Sequence, residues 1–171
     1  MKYFHGFSLK NEKILFENYL PKSCYTVAGF SYGAQLAFEY VYASNTRIDR
    51  LILLSPAFFQ TEKRSFIRTQ LRYFEAGREA YVKQFLKNVT YPSSFALHKY
   101  LNIGTEKELN SLLSYVWDAK KFKEILNRGT KIEVFIGNED KIIKSEDAIS
   151  FFRDISTLYT IKKSGHLLLE R

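Results

Sequence analysis

Residues 27–40 read Val-Ala-Gly-Phe-Ser-Tyr-Gly-Ala-Gln-Leu-Ala-Phe-Glu-Tyr and place Ser31 between Gly29 and Gly33. A short β-prone run, residues 24–28, precedes this turn, and residues of helical propensity, 34–40, follow it. Glycines on both sides permit a tight strand-to-helix turn that holds the serine hydroxyl out at the C-terminal end of a strand. A serine hydroxyl is a poor nucleophile without a base to take its proton, and the base must itself be oriented. The meaning of Ser31 therefore depends on what the other strand ends carry.

Working outward, residues 2–4 read as a very short strand running into His5-Gly6-Phe7, and residues 11–19 as a helix ended by Pro21. Residues 48–54 form a second apolar strand, closed by Ser55-Pro56. From about 59 to 127 strand signal gives way to amphipathic helix. The β/α rhythm resumes with a strand over 131–136, a helix over 145–153 with an acidic first turn, and a strand over 158–161. Strands alternating with helices predict an α/β fold with a mainly parallel sheet of about five strands. Residues 1–57 and 129–171 form the two parts of its core, and 58–128 a helical cap inserted between them.

Three histidines are candidates for the base. His98 lies in the helical middle among apolar residues, whereas His5 follows the first strand and His166 the last, at the end of the sheet where Ser31 stands. The loop after strand 131–136, Gly137-Asn138-Glu139-Asp140, offers an orienting acid: Asp140, with Glu139 as the fallback. The chain order is then serine, acid, histidine.

With these residues in place the chain resembles the α/β-hydrolases over most of its length outside the helical middle. The resemblance implies a nucleophile at Ser31, a base at His166 and an acid at Asp140. It implies a structural role for His5 and an oxyanion hole made by the backbone N–H groups of Phe7 and Tyr32. The match is to a truncated α/β-hydrolase fold. The family's third strand corresponds to residues 2–4, and its first, second and fourth have no counterpart. Because the family's spatial order is 1-2-4-3-5-6-7-8, this trims one contiguous edge.

The middle carries a substrate signal of a softer kind. Arg64, Arg68 and Arg72 are spaced i, i+4, i+8 and form one helical stripe; Arg78, Lys83 and Lys87 continue the basic character. Such a surface is either a solvated outer face of cap helices or a receptor for an acidic or phosphorylated partner. A small hydrolase with a basic helical cap is similar to the pimeloyl-[acyl-carrier protein] methyl ester esterases of biotin synthesis, whose compact BioV members are short like this chain. That resemblance implies removal of a methyl group from carrier-bound pimeloyl ester. It further implies acyl carrier protein as the partner, with its phosphate against Arg64, Arg68, Arg72 and Arg78 and the aliphatic chain among Phe58, Phe59, Tyr73 and Phe74; these four apolar residues read equally as cap core.

Composition narrows the alternatives. A hydrophobic share of 46% excludes a disordered chain, and runs such as residues 51–54 are far too short to span a membrane. A single cysteine rules out an internal disulfide and fits a reducing compartment, so a cytoplasmic location is expected. The net charge of +8 invites nucleic-acid binding, but no recognition motif supports it. No cofactor or metal is expected, because the histidines lack ligand spacing and no second cysteine is present. A generic short-chain carboxylesterase or thioesterase remains open, as does a non-catalytic binding module on a hydrolase fold; oligomeric state is not readable.

Overall fold

The computed structural model describes residues 1–169. Five strands, β1 (Lys2–Phe4), β2 (Thr26–Phe30), β3 (Arg50–Leu54), β4 (Lys131–Gly137) and β5 (Thr157–Ile161), form one sheet in the order β1-β2-β3-β4-β5. Every neighbouring pair is parallel. Six α-helices, α1 (Tyr32–Ala43), α2 (Arg64–Ala76), α3 (Arg78–Thr90), α4 (Glu106–Ser114), α5 (Ala119–Asn127) and α6 (Ser145–Phe152), connect or cap them, and a 3₁₀ helix spans Glu12–Tyr19.

The sequence explains why the sheet is covered on both faces. In β2 and β3, Val27, Leu51 and Leu53 face one apolar cluster while Ala28, Phe30, Ile52 and Leu54 face the other. Alternating residues of a strand point to opposite faces, so continuous apolar runs such as Leu51-Ile52-Leu53-Leu54 suit only a doubly covered strand. On the first face α1, α5 and α6 close an aromatic layer in which Phe38 and Phe122 lie 4.3 Å apart and Trp117 meets Phe152 at 5.2 Å. The second face is covered more thinly, by the Glu12–Tyr19 segment, the chain around Leu97 and Tyr100, and Leu167–Leu168. There Phe16 packs on Phe30 at 4.7 Å.

Most boundaries move by one or two residues from expectation, among them the start of the strand expected at 48, which lies at Arg50, and two cases have a visible cause. The second strand runs over Thr26–Phe30, two residues beyond the expected 24–28, because the Tyr25 carbonyl is taken by the Asp49 and Arg50 N–H groups and pairing starts at Thr26 with Arg50. The first helical segment is 3₁₀ in character and begins at Glu12, after Asn11 in a left-handed conformation (φ 60°). The helical middle also divides: α2 packs on α3 and α4, whereas α5 packs beside α1. The helices around the C-terminal edge of the sheet are thus α2 to α4, and α5 belongs with the layer flanking it. At the β1 edge the strand is only 3 residues long, and the Lys2 ammonium sits 3.9 Å over the Tyr40 ring, which blunts the unpaired edge.

Candidate active site

Ser31 sits between β2 and α1 with φ 54° and ψ −113°, outside the regions a non-glycine residue adopts freely. Such a conformation costs on the order of 1–3 kcal/mol and survives only when its surroundings impose it. Here they do: the Ser31 N–H donates to the Leu54 carbonyl at 2.9 Å, and its own carbonyl accepts from Ala34 and Ala57 at 3.1 and 3.2 Å. The flanking glycines answer to contact as much as to flexibility. A Cβ at Gly29 would lie 2.0 Å from the Gly33 oxygen, and one at Gly33 would lie 2.1 Å from the Phe4 oxygen. The turn is therefore pressed against the loop that leaves β1.

His166 reaches the serine from the other side of the sheet. Its loop is squeezed between the ends of two elements: a Cβ at Gly165 would meet the Tyr91 oxygen at 1.8 Å, and one at Gly137 would meet the Gly165 oxygen at 2.2 Å. His166 Nε2 lies 2.9 Å from Ser31 Oγ, and Nδ1 lies 2.6 Å from Asp140 Oδ2. The side chains of His166 and Asp140 are fully buried, and Ser31 is 2% exposed. Asp140 Oδ1 accepts from the Ile142 and Ile143 N–H groups at 2.7 and 3.2 Å, which turns the other oxygen toward the imidazole. Between the two acids of this loop, Asp140 is the one that meets His166; the Glu139 N–H donates to the Ser164 carbonyl. His98 stands apart, exposed on the turn His98–Tyr100.

The backbone N–H groups of Phe7 and Tyr32 have no protein acceptor among the described residues. The first lies in the loop pressed against the serine turn, and the second follows the serine at the open N-terminus of α1, where amides have no helical partner. Burial, and then the neighbouring Glu108, raise the Tyr32 phenol above its ordinary range.

A cleft of about 740 Å³ opens beside the acid loop, between α2, α3, α4 and residues 140–144. Its walls are largely apolar and include Phe59, Phe66, Tyr81, Phe85, Leu109 and Leu112. Burial pushes the Tyr81 phenol up to about 12, and its hydroxyl donates to Gln70 Oε1 at 2.9 Å. Of the four residues expected around an acyl chain, Phe59 and Tyr73 line this cleft. Phe58 and Phe74 are buried core instead, the former against Phe151 and Phe152, the latter against Phe7 and Tyr81. Arg64, Arg68, Arg72 and Arg78 are exposed and none is on the cleft wall. Arg72 borders a shallow depression with Glu75, and the Arg78 guanidinium covers the Phe74 ring at 5.3 Å.

Three supporting residues escaped the sequence reading. Gln35, buried in α1, donates to the Ala57 and Leu112 carbonyls, both at 3.1 Å, and so ties the serine's helix to α4. Tyr19 donates to the Leu168 carbonyl at 2.9 Å, holding the turn just after His166. Glu12, fully buried, meets His5 and Gly6. Nothing local in the sequence marks Glu12, since glutamate is almost never buried unless paired, and its partners come from an earlier loop.

Neither a protein-family model nor a curated protein matches the sequence. Solved structures do. The chain is similar to MenH from S. aureus, with 17% identity, a TM-score of 0.63, and coverage of 96% of this chain and 85% of that one. It is similar to a bromoperoxidase from Bacillus anthracis, with 16% identity, a TM-score of 0.67, and coverage of 92% and 65%. A third likeness is to the esterase EaEST from Exiguobacterium antarcticum, with 13% identity, a TM-score of 0.61, and coverage of 96% and 83%. At these identities the likeness is one of fold, and the fold is that of the α/β-hydrolases.

Proposed function

We propose that the protein is a serine hydrolase of carboxylic esters. The observation that carries this reading is the continuous chain Ser31 Oγ, His166 Nε2, His166 Nδ1, Asp140 Oδ2, at 2.9 and 2.6 Å, beside two backbone N–H groups without an acceptor among the described residues. In this reading the Asp140 carboxylate accepts from the Nδ1–H and leaves Nε2 as the acceptor for the serine proton. Ser31 Oγ attacks the ester carbonyl carbon, and the proton passes to Nε2. The carbonyl oxygen, now negative, takes hydrogen bonds from the Phe7 and Tyr32 N–H groups; losing one such donor typically costs about 10² to 10³ in rate. Collapse of the tetrahedral intermediate expels the alcohol with the proton held by His166, and a water activated at the same nitrogen then clears the acyl-enzyme.

For the substrate, the reading is the methyl ester of pimeloyl-[acyl-carrier protein]. It is supported by the resemblance of the sequence and by a largely apolar cleft beside the acid loop, suited to an aliphatic chain. The exposed basic stripe Arg64, Arg68, Arg72 is the place for the acidic carrier and its phosphate, outside the cleft. The test is to follow methyl loss from that carrier-bound ester by mass, with wild type and Ser31→Ala in parallel with short p-nitrophenyl esters. Cleavage of the carrier ester by wild type alone is the expected result. Cleavage of the small esters alone replaces this substrate with the generic carboxylesterase reading, and equal activity in both proteins overturns the serine mechanism.

A further inference from the structure

We infer that Glu12 is a positioning residue for the oxyanion site: its buried carboxyl group fixes the His5-Gly6-Phe7 loop so that the Phe7 N–H points where the oxyanion forms. This rests on the serine-hydrolase reading above and assigns a role to a group that takes no part in the proton transfers.

The geometry is unusual for a glutamate. Glu12 is 0% exposed although it opens the 3₁₀ segment, where a side chain ordinarily reaches water or the amides of its own first turn. Instead its partners are all on residues 3–6. Oε1 accepts from the Gly6 N–H at 2.8 Å and from the Tyr3 hydroxyl at 3.4 Å, and Oε2 lies 2.7 Å from His5 Nδ1. Burial, with Glu12 alongside, keeps the Tyr3 phenol far above its ordinary range, so it remains a donor. A buried carboxyl group is tolerated only where its oxygens are satisfied, so removing these contacts is costly and their geometry is correspondingly firm.

The loop is folded to make this contact. Ser8 and Asn11 both take left-handed backbone conformations, with φ 59° and 60°, and the Leu9 N–H returns to the Gly6 carbonyl at 3.2 Å. These reversals bring residue 12 back onto residue 6. The opposite side of the loop is equally constrained: a Cβ at Gly6 would lie 2.7 Å from the Phe30 ring, and that ring touches the His166 imidazole at 5.2 Å between centroids. The loop backbone also forms the wall against which Gly33 is pressed. The amide next to the Phe7 N–H is thus held from one side by a carboxyl oxygen and from the other by the serine turn itself.

A group that only capped the 3₁₀ segment would alter stability and nothing else. One that positions an oxyanion donor alters the transition state selectively, because a displacement of about 1 Å in such a donor can cost on the order of 10² in rate. The experiment uses p-nitrophenyl butyrate as substrate and butyl trifluoromethyl ketone as a probe, which binds serine as a tetrahedral oxyanion. Wild type, Ser31→Ala, Glu12→Ala, Glu12→Gln and His5→Ala are compared for kcat, KM, inhibition constant and thermal midpoint.

In Glu12→Ala, kcat falls by about ten- to a hundredfold, KM stays within about twofold, and the inhibition constant rises by the same factor as kcat falls. Glu12→Gln, which keeps an acceptor for the Gly6 N–H, recovers most of both. His5→Ala, at a side chain 41% exposed, gives a smaller loss with the same proportionality, and it decides the matter if Glu12→Ala does not fold. Variants that melt earlier but keep wild-type kcat and inhibition constant overturn the positioning role. Full turnover by Ser31→Ala would overturn the hydrolase reading, and the role of Glu12 with it; an inactive Ser31→Ala beside unchanged Glu12 and His5 variants overturns the role alone.

Discussion

The strand ends and the outer face of α2 make opposite use of their polar residues. At the strand ends Ser31, Asp140 and His166 are buried, and each side chain has a partner drawn from a distant part of the chain. On α2, Arg64, Arg68 and Arg72 share a stripe, yet all three are exposed and none lines the cleft. The difference is one of solvent. A polar group removed from water must find a defined partner, so its geometry is specified, whereas an exposed arginine satisfies itself with water and specifies nothing until a partner arrives.

That contrast can be broken most sharply at the serine. Ser31→Ala should lower kcat on p-nitrophenyl butyrate by about 10⁴ or more with little change in thermal midpoint, since the side chain removed is small; a steady-state assay and a melting curve measure both. Retention of activity would place the nucleophile elsewhere.

Next comes the aromatic layer that supports the site without touching it. Phe122→Ala removes a fully buried ring packed on Phe38, Trp117 and Phe152 and should cost about 3–5 kcal/mol in urea unfolding. Below the unfolding transition the folded fraction should keep its kcat, because the strand ends are set by β-pairing on the far side of α1.

Gly33→Ala tests whether the serine turn is held by contact with the β1 loop. The added methyl would press on the Phe4 and His5 carbonyls, and we expect a loss of about 1–3 kcal/mol together with a fall in activity of about tenfold or more. Unchanged stability and activity here would mean that the turn and the loop move apart at no cost, so that the proposed oxyanion site is not preformed.

The smallest effect belongs to the basic face. Replacing Arg64, Arg68 and Arg72 together by alanine should change stability by less than about 0.5 kcal/mol per site and leave turnover of small esters within about twofold. A selective rise in KM for a carrier-bound ester would give this face the docking role proposed for it. Equal effects on both substrates would mean that the arginines support the fold.

Much of this was legible in the sequence, for a reason visible at each site. The serine turn could be read because two glycines and a serine at fixed spacing, after a strand and before a helix, are a local requirement of backbone geometry. The candidates for acid and base, Asp140 or Glu139 and His5 or His166, could be read because strand ends in a parallel sheet converge; the resemblance pointed to His166, and the structure shows that His166 and Asp140 are the pair that meets. The sheet order came from the family resemblance and not from the residues: trimming one edge of the family's order leaves β1-β2-β3-β4-β5, the order found here. The boundary at Thr26 could not be read, because it depends on which carbonyl Asp49 and Arg50 capture. Nor could the split between α5 and the helices before it, whose amphipathic patterns are alike until Phe122 is seen against Phe38.

The sequence by itself determined the α/β class and the strand-turn-helix around Ser31, and narrowed the residues that could meet it to His5 or His166 and Asp140 or Glu139. These follow from periodicity, from glycine and from chain order, all of which act over a few residues or through parallel-sheet topology. Only the tertiary structure decided that Glu12 is buried against Gly6, that Phe58 and Phe74 are core, and that the arginine stripe faces away from the cleft. Those outcomes depend on which side chains lose their water, and that is settled by neighbours brought together from distant parts of the chain.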